Sequence, residues 1–466
     1  MSAPLWTSAQ LRAATGAGVA PDVTVSGISI DSRALKPGDL FFALKVARDG
    51  HDFVADAIAN GAAAAVVSRD IAGVGADKLI KVTDPLLSLE ALGRARRAQV
   101  SAKIAAVTGS VGKTSTKEAL RHLLRLQGAT HASAASYNNL WGVPLSLARM
   151  PIETRFGVFE IGMNHAGEIT PLTVQVRPNV AIVTMVAPVH LEHFSSIADI
   201  ADAKGEIFSG LEHGGSAIIN GDLEWTARLR RRAEAARATQ IVTFGSGATC
   251  DVRLVSLQMS EDHSDIEASF FGKPLRYRLS APGRHWALNS LGALAVIKAL
   301  GADPMRAAAD MIGIAALSGR GAREHVEGPR GRFELIDESY NANPASMASA
   351  IAVLGQVKPE GAGRRIAVLG DMLELGSSGP QLHADLVPAL TAARIDRVFA
   401  GGPLMRNLFD ALAPVQRGVY GASSKDIADE VANELRAGDV VMVKGSYGSK
   451  MVVVVEALRR LAQQKG

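Results

Sequence analysis

The segment KIAAVTGSVGKTSTKEALRHLL, residues 103–124, carries the pattern that decides the fold. The apolar run Ile104–Val107 predicts a buried strand, and the glycines that follow predict a tight turn. The turn leads into a segment with Leu120, Leu123 and Leu124 at helical spacing. A buried strand that turns directly into a helix is the repeating unit of α/β proteins with parallel sheets.

The turn in this segment has the composition of a phosphate-binding loop. It consists of Gly109, Ser110, Val111, Gly112, Lys113, Thr114 and Ser115. Glycines let backbone N–H groups close around phosphate oxygens, and a helix N-terminus adds positive potential. Lys113 would contact the β- and γ-phosphates, and Thr114 would offer its hydroxyl to Mg²⁺. The general pattern has a glycine where this chain has Val107, so the match is to a shorter TGxxGKT variant. We predict nucleotide binding here.

Composition limits the class of protein. A chain of 466 residues with 47% hydrophobic and 21% charged residues is typical of a globular protein with two or three domains. The net charge of +4 is spread along the chain, so no nucleic-acid partner is expected. The one cysteine, Cys250, excludes an intrachain disulfide and favours a reducing compartment. Neither a signal peptide nor a membrane-spanning run is evident, so we expect a cytoplasmic protein without membrane insertion.

Strand and helix patterns divide the chain into three parts, 1–99, 100–318 and 319–466. The first part has short strand-like runs, VTVSGISID, GDLFFAL and AAAAVVS, followed by the helical pattern LLSLEALGRARRAQ. In the second, KIAAVTG, FGVFEIG, NVAIVTMV and GSAIING alternate with helical segments, which predicts a mostly parallel sheet. The third, with RFELID, RIAVLGD, RVFAGG and DVVMVKGS, predicts a smaller doubly wound unit.

Two polar residues follow strands of the second part. Glu160 ends one apolar run, and His190 comes just after another. The carboxyl ends of parallel strands line the ligand crevice, so both side chains are candidate metal ligands. A solvent-facing glutamate and a structural histidine are the alternatives, and His193 competes with His190 for the same role.

The segment SSIADIADAKGEIFSGLEHGG, 195–215, predicts a helix with Ser196 as N-cap and Gly214–Gly215 as its stop. One face of this helix is apolar, formed by Ile197, Ile200, Ala201, Ile207, Phe208 and Leu211. Lys204 completes that face. Its stem lies along apolar surface in the ordinary interpretation. Alternatively, Lys204 faces the crevice and reacts with CO₂, and the resulting carbamate orients a metal ion.

Several motifs occur together in the order seen in one family. They are TGSVGKTSTKE, EIGMNHAGEI, PVHLEHF, DAKGEIF, DESYNANPASM, LGDMLELG and VKGSYGSKM, with DSRALKPGDLFFAL near the N-terminus. In these residues the whole chain resembles the Mur ligases of peptidoglycan synthesis. The resemblance implies an α/β chain of three domains. These are a small mixed α/β N-terminal domain for the UDP-sugar, a central P-loop ATPase-type parallel-sheet domain for ATP and Mg²⁺, and a C-terminal Rossmann-like ligase domain.

The resemblance also implies the reaction. A carboxylate of UDP-N-acetylmuramoyl-tripeptide attacks the γ-phosphate of ATP, and the amine of D-alanyl-D-alanine then displaces phosphate from the acyl phosphate. Such phosphoryl transfer needs positioning and charge neutralisation more than covalent chemistry by the protein. The implied partners are these two substrates, and a monomer is expected.

Residue roles are implied position by position. Lys113, His190 and Lys204 are the implied catalytic residues. The implied metal ligands are Thr114, Glu160, His190 and carbamylated Lys204. Besides the phosphate loop, the implied ATP contacts are Asn289 at the adenine, Arg320, and Asp371 at the ribose. The implied substrate contacts are Ser32 for the uridine diphosphate, Asn138 and Asn139 for the muramoyl part, Lys444 and Ser446 on the acceptor side, and Asn341 and Asn343, which either cap a helix or face the ligand.

The chain departs from the family pattern at Trp286, where many relatives have Asn, and at Leu140-Trp141, where a more polar pair is usual. These departures put the adenine and muramoyl contacts in question. Two alternative functions stay open. One is another amino-acid-adding ligase of this fold, such as a folylpolyglutamate synthase-like enzyme. The other is a nucleotide-dependent switch or binding module, which would hydrolyse nucleotide without a peptide substrate.

Overall fold

A computed structural model describes residues 4–17, 21–134, 136–189, 191–260, 262–314 and 318–465. The strands in these ranges are β1 Trp6–Thr7, β2 Thr24–Val25, β3 Gly27–Ser29, β4 Asp39–Phe42, β5 Ala64–Val67, β6 Leu79–Lys81, β7 Lys103–Thr108, β8 Thr130–Ala132, β9 Phe156–Glu160, β10 Val180–Val183, β11 Ser216–Asn220, β12 Gln240–Gly245, β13 Val252–Met259, β14 Ser264–Phe270, β15 Lys273–Leu279, β16 Ala322–Gly328, β17 Gly331–Glu338, β18 Arg365–Gly370, β19 Arg397–Gly401, β20 Arg417–Gly421 and β21 Val440–Lys444. The α-helices are α1 Ser8–Thr15, α2 Val54–Ala59, α3 Pro85–Gln99, α4 Lys113–Arg125, α5 Gly142–Ala148, α6 Ile169–Val176, α7 Ile197–Gly205, α8 Thr226–Ala235, α9 Arg284–Ala299, α10 Pro304–Asp310, α11 Pro344–Gln356, α12 Gly379–Ala384, α13 Val387–Ala392, α14 Met405–Ala411, α15 Ser424–Glu434 and α16 Val452–Arg460.

The N-terminal sheet is a parallel sheet of the order β3-β4-β5-β6, beside an antiparallel ribbon of β1 and β2. The predicted strands and the helix after them, α3, are confirmed. Leu89 and Leu92 of α3 are buried against this sheet. Arg97, near the end of α3, donates from Nε to the Val176 carbonyl oxygen (2.8 Å) and from Nη2 to that of Arg177 (2.7 Å). The helix therefore joins the N-terminal sheet to α6 of the next layer.

The central sheet has the order β15-β14-β13-β12-β11-β10-β7-β9-β8. The strands from β8 to β13 pair in parallel, as predicted, and helices cover both faces. The antiparallel extension β13-β14-β15 was not predicted. Its strands alternate buried with charged or polar side chains, so they contain no continuous apolar run.

Strand β7 lies between β9 and β10 and sets the position of their ends. Val107 pairs with Glu160, and Thr108 pairs with Val183. Because the three strands run in the same direction, the residues that follow them emerge at one edge of the sheet.

The C-terminal sheet has the order β16-β17-β21-β18-β19-β20 and is parallel except for β16. Helices α11, α13 and α14 pack on one face, and α15 and α16 pack on the other. This arrangement confirms the predicted doubly wound unit. Strands β16 and β20 were missed, because they lie at the edges and are polar on at least one side.

The predicted helix over 195–215 is correct at its start and wrong in its length. Ser196 caps α7 by accepting a hydrogen bond from the Asp199 N–H (3.2 Å). The α-helix ends at Gly205, and a 3₁₀ turn, Glu206–Gly210, follows. This turn packs tightly on α6, since a Cβ at Gly210 would lie 2.3 Å from the Thr173 carbonyl oxygen. Where the sequence predicted further turns of α7, the chain instead forms a 3₁₀ turn that packs closely on α6.

His131 of β8 predicts a specific pH dependence of stability. Desolvation lowers its pKa to about 4, although its Nε2–H donates to the Ser146 carbonyl oxygen (2.8 Å). Its folded-state pKa is thus below the unfolded value of about 6.5. Between about pH 6.5 and pH 4 the unfolded state binds the extra proton, so stability falls on acidification by roughly 1–2 kcal/mol. Urea unfolding at several pH values should show a smaller loss for His131→Gln, and parallel losses in both proteins would contradict the assignment.

Candidate active site

A cleft of about 650 Å³ lies between the central and C-terminal sheets. One wall consists of residues that follow β7, β9 and β10, together with the start of α9. The other consists of residues at or after the ends of β17, β18 and β21, together with Arg320 and the start of α11. The carboxyl ends of parallel strands from two sheets thus face one another, which is where open α/β sheets bind ligands.

The phosphate loop between β7 and α4 is braced by the segment after β10. Thr184 Oγ1 donates to the carbonyl oxygens of Val111 (2.6 Å) and Thr108 (3.2 Å). The Ser110 N–H donates to the Met185 carbonyl oxygen (2.7 Å). Gly112 has φ 88°, and a Cβ there would lie 2.7 Å from Asn289 Nδ2, so only glycine suits this position. The loop therefore keeps its shape through contacts within the protein.

Three side chains meet at the end of β9. Thr114 Oγ1 donates to Glu160 Oε2 (2.8 Å), and Asn138 Nδ2 donates to Glu160 Oε1 (2.8 Å). Glu160 is only 1% exposed. Hydroxyl and carboxylate oxygens are the ligands that Mg²⁺ prefers. Among the residues that the structure describes, no group of three or more His, Cys, Asp or Glu side chains is placed to hold a metal ion. His190 lies outside the described residues.

Two lysines belong to or lie near the phosphate loop, Lys113, which is half-buried, and Lys204, which is buried. Lys113 Nζ donates to the Gly109 carbonyl oxygen (2.6 Å). Lys204 is 2% exposed, and no hydrogen bond to its amine is found within the described part of the chain. Desolvation, reinforced by the charge of Lys113, lowers the pKa of Lys204 well below its usual range. Burial therefore favours the neutral amine of Lys204 over its ammonium form, and the neutral amine is the form that reacts with CO₂.

Tyr340 connects the two walls of the cleft. Its hydroxyl hydrogen-bonds to Ser136 Oγ of the central wall. The Arg320 guanidinium stacks on its ring, 4.0 Å from the centroid. Deeper in the C-terminal wall, Lys444 Nζ is held by Glu338 Oε2 (3.0 Å) and by the Asn341 carbonyl oxygen (2.9 Å). The C-terminal wall therefore presents an ordered cation, Arg320, toward the phosphate loop.

Three successive segments of the chain each match a domain of the same protein family. Residues 24–97 match the Mur ligase family catalytic domain, 107–297 the Mur ligase middle domain, and 323–447 the Mur ligase glutamate ligase domain. The UDP-N-acetylmuramoyl-tripeptide–D-alanyl-D-alanine ligase of Escherichia coli is 35% identical over 94% of both chains. The chain belongs to the Mur ligase family.

Solved Mur ligase structures have the same architecture. MurF from Acinetobacter baumannii superposes with a TM-score of 0.85 at 30% identity, over 98% of this chain and 99% of that one. The MurF ligase from Thermotoga maritima in complex with ADP gives a TM-score of 0.78 at 26% identity, over 94% and 98% of the two chains. In this Mur ligase, no helix within the described ranges is long and apolar enough to cross a membrane.

Most of the predicted site residues meet in the cleft of this Mur ligase. Those in its walls are Ser110, Val111, Gly112, Lys113, Thr114, Ser115, Asn138, Glu160, Asn289, Arg320, Asn341, Asn343, Lys444 and Ser446. Asn343 also caps α11 by accepting from the Ser346 N–H (2.9 Å). Ser446 Oγ accepts from the Leu373 N–H (3.0 Å) and donates to the Ala342 carbonyl oxygen (3.1 Å).

Gly109 and Lys204 lie near Lys113 and are not among the residues of the cleft walls, and three further predicted residues are placed elsewhere. Ser32 is buried after β3, and its carbonyl oxygen accepts from Asn60 Nδ2 (3.1 Å). Asn139 accepts from the Gly142 N–H (2.9 Å) at the start of α5. Asp371 accepts from the N–H groups of Met405 (2.8 Å) and Leu404 (3.3 Å), and so its carboxylate caps α14.

The two departures from the family pattern have different surroundings. Trp286 is in the cleft wall, buried at the start of α9. Leu140 is half exposed, whereas Trp141 packs edge-on against Tyr137, with ring centroids 5.5 Å apart. The altered aromatic at 286 therefore touches the site, and the one at 141 belongs to the packing of the N-terminal layer.

Sequence reasoning missed His285, Glu338, Tyr340 and Thr184 as parts of the site. Glu338 is the last residue of β17, and Tyr340 follows two residues later, both within the motif DESYNANPASM. Thr184 directly follows β10, the same signal that identified Glu160. A consistent search of every strand end would have found three of the four.

Thr184→Val should weaken ATP binding about tenfold, because two loop carbonyls lose a buried donor worth about 1–3 kcal/mol. Isothermal titration calorimetry with ATP checks this. Thr108→Val is the matched control, since Thr108 Oγ1 is buried and has no hydrogen-bond partner within the described residues. Equal affinities for the wild type and both variants would show that the Thr184 hydroxyl does not shape the loop.

Proposed function

We propose that this Mur ligase is an ATP-dependent amide ligase that adds D-alanyl-D-alanine to UDP-N-acetylmuramoyl-tripeptide in peptidoglycan precursor synthesis. One observation carries the proposal. The chain is similar over nearly its whole length to ligases named for that reaction, and its residues assemble one cleft in which a phosphate loop faces a second α/β unit.

ATP fits the cleft by charge and shape. Lys113 and the loop N–H groups would hold the terminal phosphates, and Arg320 would add a second positive charge. Asn289, packed on Gly112, is the proposed contact on the adenine side. Contact of Asp371 with the ribose stays a prediction, and its capping of α14 limits the lone pairs left for that role.

The oxygen donors at the end of β9 fit Mg²⁺. Thr114 and Glu160 would hold the ion, and His190 with carbamylated Lys204 would serve a second one. Mg²⁺ bound there would neutralise charge on the phosphates. The burial of Lys204 supports carbamate formation, because desolvation favours its neutral amine, which can add to CO₂, lose a proton and become a carboxylate ligand.

The reaction proceeds by two transfers. A carboxylate oxygen of the tripeptide attacks the γ-phosphorus of ATP, the bond to the β,γ-bridging oxygen breaks, and ADP leaves. The amine of D-alanyl-D-alanine then attacks the acyl carbon, loses a proton and expels phosphate, which forms the amide. Lys113 and Arg320 would stabilise the charge that moves onto the leaving oxygens.

Substrate contacts and organisation complete the proposal. Residues 1–99, with Ser32, would bind the UDP-sugar, and 100–318 would bind ATP, with Asn138 and Asn139 toward the muramoyl part. Residues 319–466 would bring the acceptor, with Asn341, Asn343, Lys444 and Ser446 nearby. Since one chain supplies both walls of the cleft, we propose a monomer, acting in the cytoplasm where ATP is available.

A reconstituted assay tests the function. We expect ADP release only when ATP, Mg²⁺, UDP-N-acetylmuramoyl-tripeptide and D-alanyl-D-alanine are all present, and mass spectrometry should find the pentapeptide product. ADP release that is equal without the dipeptide would favour a nucleotide-dependent switch. Ligation of glutamate to a folate would favour the folylpolyglutamate synthase-like alternative, which has structural likeness at 16% identity and thus in fold alone.

Lys204→Ala should reduce ligation at least about a hundredfold, in line with losses at metal-orienting residues. Short carboxylates such as acetate should restore part of that activity by supplying the missing oxygen ligand. Lys204→Arg is the control, since it keeps a long basic side chain, cannot form the carbamate and leaves no room for acetate. Full activity of Lys204→Ala would rule out the metal role.

A further inference from the structure

A second cavity, of about 370 Å³, lies beside the active-site cleft. Its walls come from two parts of the chain. Met259 and Pro282 belong to the central sheet and the turn before α9, and Ala348, Ala352 and Val353 belong to the outward face of α11. Its size falls within the range of sites that bind small organic ligands. The residues that line only this cavity have no role in the proposed reaction.

The two walls come into contact at Gly283, in the turn that precedes α9. A Cβ at Gly283 would lie 3.4 Å from Val353 Cγ2, so the turn and the helix touch there. Farther along α11, the side chains at 348 and 352 are alanines, too short to fill the space toward Met259. The cavity is therefore a gap left by small side chains next to the contact at Gly283.

Two of the side chains that line the cavity carry a permanent charge, and both are arginines. Arg284 is the first residue of α9 and is exposed, and we find no ion pair of its guanidinium within the described ranges. Arg323 also lines the cavity, where Glu334 holds it (Nε to Oε1, 2.5 Å). A ligand with one negative charge would meet Arg284 at the rim, while apolar walls cover the rest of it.

We propose that this cavity binds a small organic anion with a flat apolar body, at a site separate from the nucleotide. His285 and Ser349 stand between the two cavities and line both. The central sheet and α11 each supply a wall, so the anion binds best when these two elements are positioned relative to one another as in this structure. A nucleotide that stabilises the same relative position raises the affinity for the anion, and a nucleotide that does not affect this position leaves the affinity unchanged.

The probe is 1-anilinonaphthalene-8-sulfonate, titrated into the full-length protein by fluorescence. We expect one site per chain and, in Ala352→Trp, an affinity lower by at least about tenfold, because the indole fills the cavity. Ala227→Trp, the same change at an exposed position of α8, should leave the affinity unchanged. Thermal unfolding of each variant checks the fold, and Val353→Phe takes the place of Ala352→Trp if that variant does not fold. Several weak sites, or equal affinity in the filled variant, would overturn the proposal.

Arg284→Ala tests the chemical class of the ligand. It should weaken binding of the anionic probe about tenfold, a change of about 1.4 kcal/mol, and leave the neutral analogue N-phenyl-1-naphthylamine unaffected. Equal losses for both probes, or no loss for either, would overturn the role of charge.

A third titration, with the non-hydrolysable analogue β,γ-imido-ATP, tests whether the site is separate. Binding of the anionic probe that is unchanged or tighter in its presence supports the proposal. Stoichiometric displacement of the probe would assign the cavity to the nucleotide site instead. None of these readouts needs ligase activity, so they stand apart from the test of the proposed reaction.

Discussion

Parallel pairing of β7 with both of its neighbours is the constraint on which the site depends. Hydrogen bonds to β9 and β10 fix the three strands in register, so their carboxyl ends reach the same height. Glu160, the phosphate loop and Thr184 are consequently neighbours although they are far apart in the chain. Their positions relative to one another are set by backbone pairing, and the side-chain hydrogen bonds only refine them.

The second constraint is the way the C-terminal sheet faces the central one. The ends of β17 and β21 and the residues just after them supply Tyr340, Lys444 and Ser446, and each of these is fixed by at least one hydrogen bond. Groups held in this way need little reorganisation when charge moves during a reaction. The cleft thus combines a nucleotide-binding edge with a rigid, polar opposite wall.

Much of this arrangement is readable from the sequence. Buried parallel strands are apolar throughout, so β7, β9, β10, β18 and β21 were found, and the phosphate loop followed from the turn after β7. The antiparallel hairpins β13–β15 alternate polar and apolar residues and were missed. Asp371 shows a second limit of prediction from sequence. Its motif marks the residue as part of the site, but only the position of α14 shows that backbone N–H groups already bind its carboxylate. The close packing of the 3₁₀ turn after α7 on Thr173 is likewise a contact between distant residues, which no local pattern reveals.

The bond from Lys113 to the Gly109 carbonyl oxygen has a further consequence. This hydrogen bond gives the Lys113 ammonium group an acceptor within its own loop, so the group does not depend on the carboxylate of Glu160 for a partner. An incoming phosphate then replaces one acceptor by a better one, and the side chain has little distance to travel. The loop therefore already has the conformation that binds phosphate, and nucleotide binding exchanges one hydrogen-bond acceptor of Lys113 for another without refolding the loop.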